Sequence, residues 1–185
     1  MTMARGRKSA LRQLAKELRV EVGAASSDPF DVFALAELYG LDVVQMSQLD
    51  CAGAVQFFGE AGYQRFSGAQ VPVSRFGSCI VVNDLHTIER QRSTLGHEVA
   101  HSICEHPHEA RLVDSAGCRV ADRVLEEEAT FLSGELLLPT DAARMLAIKG
   151  VAAEVVATQY QISVEMARWR LNISGGHQIR RRRAQ

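Results

Sequence analysis

Apolar positions recur at helical spacing from the start of the chain. Leu11, Leu14, Ala15, Leu18 and Val22 fall on one face, with Arg5, Arg7, Lys8, Arg12, Lys16 and Arg19 among them. That pattern predicts a basic amphipathic helix resting on the body of the protein. The stretch GAASSDP, Gly23 to Pro29, reads as a loop. Asp28 is placed to cap a second helix with Pro29 at its first position, and Phe30, Phe33, Ala34 and Leu38 carry that helix to a stop near Gly40. The pattern then changes. LDVVQM from Leu41, AGAVQFF from Ala52 and SCIVVN from Ser78 are short, β-branched or aromatic, and bounded by Gly, Asp and Asn, which predicts strands. The glycine-rich segment between the last two has room for a further hairpin. After Asp84 the spacing is helical.

Strands followed by helices predict an α+β domain, mostly helical, with a small and mainly antiparallel sheet. A break near Gly150 precedes VAAEVVATQYQISVEMARWRLN, two helical stretches around YQIS that resemble a helix-turn-helix. Glu165 and Trp169 would be odd leading contacts for a DNA-reading helix, so a helical pair that finishes the bundle is favoured over direct DNA binding. The chain divides into a basic helix and linker at 1–27, a body at 28–148, and a C-terminal helical segment with a basic tail at 149–185.

Composition agrees with a packed domain: 185 residues, 46% hydrophobic and 23% charged, are enough to bury a core. A net charge of −1 gives no global reason for a nucleic-acid or membrane partner, and the arginines at 180–183 read as a solvated run. No apolar run approaches the roughly 18 residues of a membrane span, and the first residues are too charged for a signal-peptide core. A cytoplasmic location is expected. Cys51, Cys79, Cys104 and Cys118 form no C-x-x-C pair and read as reduced thiols, not a zinc ribbon.

The chemistry concentrates in TLGHEVAHSICEH, Thr94 to His106. His97 and His101 lie about 40° apart around a helix and about 6 Å along it, so both imidazoles can reach one ion. Glu98, about 100° from His97, stands where a carboxylate can act on water beside the ion. Leu95, Val99 and Ile103 give the helix an apolar back, and Pro107 is the expected stop.

Catalytic zinc takes three protein ligands and leaves one position open, so a third ligand is needed downstream. The extended pattern H-E-x-x-H-x-x-G-x-x-H fails, because Cys104 and Pro107 stand where Gly and His are required. His106 and His108 follow the expected helix end and read as surface residues or adventitious ligands. RVLEEEATFLSGELLLP offers a better source. Ala129, Thr130 and Ser133 fall within about 60° of Glu126 on a helix, a small-residue stripe suited to close approach of a second helix. Glu127 remains a weaker alternative, and Glu128 points to nearly the opposite face.

The succession CIVVN, RQRSTLGHEVAH, EEEATFLSGELLLP resembles the ImmA/IrrE family of metallopeptidases over roughly Asp28 to Leu146. The resemblance implies a zincin-like fold, with His97, His101 and Glu126 as metal ligands and Glu98 as the catalytic base. Ser93, Thr130 and Ser133 depart from the family's usual aromatic, asparagine and alanine, which bears on substrate fit more than on metal binding. It also implies a regulatory role: cleavage of a helix-turn-helix repressor or an antitoxin in phage, mobile-element or stress-response circuits, relieving repression.

The expected activity is therefore endopeptidase hydrolysis dependent on Zn²⁺, with Mn²⁺ or iron able to bind the same donors. An extended substrate can align along a free edge of the sheet. Tyr160 and His177 are chemically able to supply a second oxyanion donor, but nothing in the sequence brings them to the site. The rival from another class is a metal-dependent sensor or regulator-binding module that cuts nothing. A closed structural zinc site is disfavoured, since such sites take four ligands and more thiolate.

Overall fold

The computed structural model describes residues 3, 5–50, 66–74, 77–107 and 122–183. The strand expected from Ala52, together with Cys51, His108 and Cys118, lies outside them. In chain order the described elements are α1 (Arg5–Glu21), α2 (Val32–Leu38), β1 (Asp42–Gln45), a 3-10 turn (Met46–Gln48), β2 (Gly68–Ser74), β3 (Gly77–Val82), α3 (Ile88–Ile103), α4 (Arg123–Leu137), α5 (Thr140–Lys149), α6 (Ala153–Tyr160), α7 (Val164–Ile173) and α8 (Gly176–Arg183).

Helix α1 buries Leu11, Ala15 and Leu18 and packs along α4, as its apolar spacing requires. Its arginines do not all face water. Arg19 is buried and donates to the carbonyls of Leu136 and Ala25, and to that of Asp28 at 2.7 Å. One guanidinium thereby fastens the loop after α1 to the end of α4.

The second helix begins later than expected. Asp31, not Asp28, caps it, accepting from the backbone N–H of Phe33 at 3.0 Å and of Ala34 at 3.1 Å. Asp28 instead accepts from Ala25 N–H at 3.0 Å, closing the loop. The reason is tertiary: Phe30 is wholly buried in the main core ahead of the helix, and its carbonyl receives the Arg92 side chain. Gly40 at φ 63° then turns the chain into β1.

The sheet is small, as expected, but mixed instead of mainly antiparallel. Its order is β1-β3-β2, with β1 parallel to β3 from Asp42↔Cys79 to Gln45↔Val82, and β2 antiparallel to β3. Parallel neighbours need a long crossover, which the chain between β1 and β3 provides. Ile80 and Val82 enter the main core, between the sheet and helices α1 to α4.

Two close approaches seat α3. A Cβ built on Gly96 would lie 3.2 Å from Ser133 Oγ and 3.6 Å from Leu137 Cδ1, so small residues let the backbones of α3 and α4 draw together. A Cβ built on Gly68 would meet Thr94 Cγ2 at 2.5 Å and the Val81 carbonyl oxygen at 2.9 Å. Gly68→Ala is therefore expected to lose about 1–3 kcal/mol through overpacking of β2 against α3. Urea unfolding checks it; a midpoint equal to wild type would mean the strand yields without cost.

The end of α4 begins a second apolar cluster, in which Leu137 and Leu138 join Ala143, Val156, Tyr160 and Leu171 from α5, α6 and α7. The two stretches around YQIS form the expected helical pair. Gln161 makes the bend at φ 52°, and Ser163 caps α7 by accepting from Met166 N–H at 3.1 Å. The arginine run at 180–183 is exposed, as expected, but helical. Among the described residues no helix is long and apolar enough to cross a membrane.

Candidate metal centre

Helix α3 carries His97, Glu98 and His101, with Leu95 and Val99 fully buried on its apolar side. It ends at Ile103, four residues before Pro107; Cys104 is the C-cap, and Glu105 at φ 55° reverses the chain. Helix α4 brings the third group. Asp122 caps it, accepting from Val124 N–H at 2.8 Å, and Glu126 follows in its first turn, where the helix dipole favours a carboxylate.

Three donor atoms converge. Nε2 of His97 and Nε2 of His101 are 3.1 Å apart. Glu126 Oε2 lies 3.1 Å from His97 Nε2, and Glu126 Oε1 lies 3.4 Å from His101 Nε2. Lone pairs this close repel unless a proton or a cation lies among them. A tetrahedral ion with bonds of about 2.0 Å has ligand-to-ligand edges of about 3.3 Å. The donor set fits such an ion in spacing and in chemistry.

Exposure around the cluster is uneven. The His101 side chain is 2% exposed, whereas those of His97 and Glu126 are 28% and 38% exposed. The cluster thus has a dry back and an open front. A cleft of about 660 Å³ runs alongside Glu126 and Thr130, bordered by Lys8, Arg12, Phe131 and Trp169. Glu98 is buried on α3, next in sequence to His97.

Glu127 does not join the cluster: it accepts the Met3 backbone N–H at 3.1 Å and pairs with Arg123 at 3.5 Å. Tyr160 is spent elsewhere, its hydroxyl donating to the Ser26 carbonyl at 3.2 Å. Burial pushes the thiol of Cys104 up, away from the thiolate that binds metal.

His106 overturns its expected surface position. It is buried, its Nδ1 lies 2.8 Å from Nδ1 of His101, and its Nε2 faces Glu128. The left-handed turn at Glu105 folds it back under the helix it follows. Only that turn and a partner on another helix bring it in, and neither is visible in local spacing.

The family model of the IrrE N-terminal-like domain, Peptidase M78, matches residues 55–172. That span begins inside the Asp28 to Leu146 stretch of the sequence resemblance, leaving out 28–54, and runs past its end to take in α6 and nearly all of α7. No curated protein matches the chain.

Proposed function

The chain belongs to the IrrE N-terminal-like family of metallopeptidases, and from that premise we propose that it is a zinc-dependent endopeptidase acting on a DNA-binding regulator. The observation that carries this reading is the convergence of His97 Nε2, His101 Nε2 and the Glu126 carboxylate on one point with an open front. His97, His101 and Glu126 would hold Zn²⁺, with Mn²⁺ the alternative for the same donors. When bound, the ion supplies a Lewis acid that polarises the scissile carbonyl and makes water more acidic.

The remaining steps belong to the chain's own residues. Glu98 takes a proton from the attacking water as its oxygen bonds to the carbonyl carbon, then delivers that proton to the amine nitrogen as the C–N bond breaks. Strand β2 is an edge of the sheet among the described residues, and an extended substrate can add to it through main-chain hydrogen bonds. Such pairing asks little of sequence, so selectivity rests on docking, and a helix-turn-helix repressor or antitoxin is the partner that the family resemblance supports. Cleavage of that partner would relieve repression.

Elemental mass spectrometry tests the centre on protein purified without an affinity-column metal. About one zinc or manganese is expected per wild-type or Glu98→Gln chain, and less than a tenth of that in His101→Ala and Glu126→Ala. A panel of helix-turn-helix regulators incubated with the metal-loaded wild type should yield one that is cut at a single bond. A folded wild type that takes up no added zinc would sink the peptidase reading and leave a regulator-binding module.

A further inference from the structure

We infer that His106 is a positioning residue for this centre: it holds His101 in the tautomer that presents the Nε2 lone pair to an ion, and is itself held by Glu128 and Arg7. The inference rests on the metal-centre reading above and adds a layer behind it. Four side chains from three segments form one line. Arg7 on α1 donates from Nε at 2.8 Å and from Nη2 at 2.6 Å to Glu128 Oε2 on α4. The same oxygen lies 3.5 Å from Nε2 of His106, a charge-facing contact longer than an ordinary hydrogen bond. Nδ1 of His106 lies 2.8 Å from Nδ1 of His101.

Arg7 donates twice to Glu128 Oε2, so this oxygen is the acceptor at the far end of the line. A His106 ring that turns Nε2 toward that oxygen presents Nδ1 to His101. A hydrogen bond between two Nδ1 atoms needs one donor, and a His101 that offers its Nε2 lone pair to an ion has its single proton on Nδ1 and is that donor. With its proton on Nδ1, His101 keeps a lone pair on Nε2, the atom that faces His97 and Glu126. A metal-bound histidine commonly donates its second N–H in this way, which fixes ring orientation and raises basicity at the ligating nitrogen.

Cys104, His106 and Glu128 also bring donor atoms within 4.8 Å of one another, the spacing of a second metal site. The geometry speaks against that use. Arg7 already places a cation on the Glu128 oxygen, and Nδ1 of His106 is taken by His101. The trio supports the site in front of it.

Asparagine provides a discriminating variant, because its Oδ1 can occupy the place of histidine Nδ1 and accept from His101. Zinc affinity, read by competition with a chromophoric chelator, should fall about 10- to 100-fold in His106→Leu and Glu128→Leu and stay within about threefold of wild type in His106→Asn. In metal-free wild type, ¹⁵N-histidine NMR should show the His101 proton on Nδ1, a reading that needs no variant to fold. A folded His106→Leu with wild-type zinc affinity, or a His101 proton on Nε2, would overturn the inference while leaving the metal centre standing. A wild type that binds no zinc would overturn the metal centre and this inference together.

Discussion

Arg170→Met is expected to destabilise the protein by about 3–5 kcal/mol, because it strands a carboxylate in the interior. Arg170 and Glu135 have side chains 1% and 2% exposed and meet at 3.0 Å. The guanidinium also donates to the Leu138 carbonyl at 2.8 Å and to Thr140 Oγ1 at 3.1 Å. Glu135 in turn accepts from Thr140 N–H at 2.9 Å and from the Thr140 hydroxyl. One buried ion pair thus fastens α7 to the joint at Leu138 and Pro139, between the end of α4 and the start of α5. Gly134 makes room for it, since a Cβ there would lie 3.0 Å from Arg170 Nη1.

Removing only the cation leaves Glu135 with Arg12, 3.7 Å away and partly exposed, as its remaining positive neighbour among the described residues. At roughly 2–4 °C per kcal/mol for a chain of this size, the loss is a fall of about 6–20 °C in Tm. Replacing both partners by apolar residues removes the stranded charge, so the double variant Arg170→Met, Glu135→Met is expected to recover part of the loss. A single variant that melts within about 2 °C of wild type would show that the pair is not holding the joint.

That network explains why some of the fold was legible in the sequence and some was not. Local periodicity exposed what depends on neighbours three or four apart: the apolar face of α1, the two histidines of α3, and Glu126 with the small residues that let α4 approach Gly96. It could not show choices made by distant contacts. Asp28 and Asp31 have the same capping chemistry, and the burial of Phe30 decided between them. Likewise, β1 carries nothing that marks it as parallel to β3, because that pairing is set by a crossover. His106 followed a helix end and a proline and looked like loop, yet the carboxylate that draws it inward lies on α4, and the arginine that holds that carboxylate lies on α1. Basic residues misled for a related reason. Arg19 and Arg170 contribute to the same charge count as the exposed arginines of α8 but are interior clamps on backbone carbonyls.

Glu98→Gln is the substitution expected to separate catalysis from everything else the centre does. Glutamine has nearly the shape of glutamate and can hydrogen-bond to water, but it cannot accept a proton and return it. Loss of a general base of this kind lowers turnover by about 10²- to 10⁴-fold, roughly 3–5 kcal/mol in the barrier. His97, His101 and Glu126 are untouched, so metal content should stay at the wild-type level. Against a regulator that wild type cuts, the variant should still bind and should protect it from wild type when present in excess. Retained cleavage within a few-fold of wild type, with metal and fold intact, would remove Glu98 from the chemistry and require the proton to be taken by another group. No detectable cleavage by wild type or variant, with tight binding by both, would instead make this a metal-containing module that acts by holding its partner.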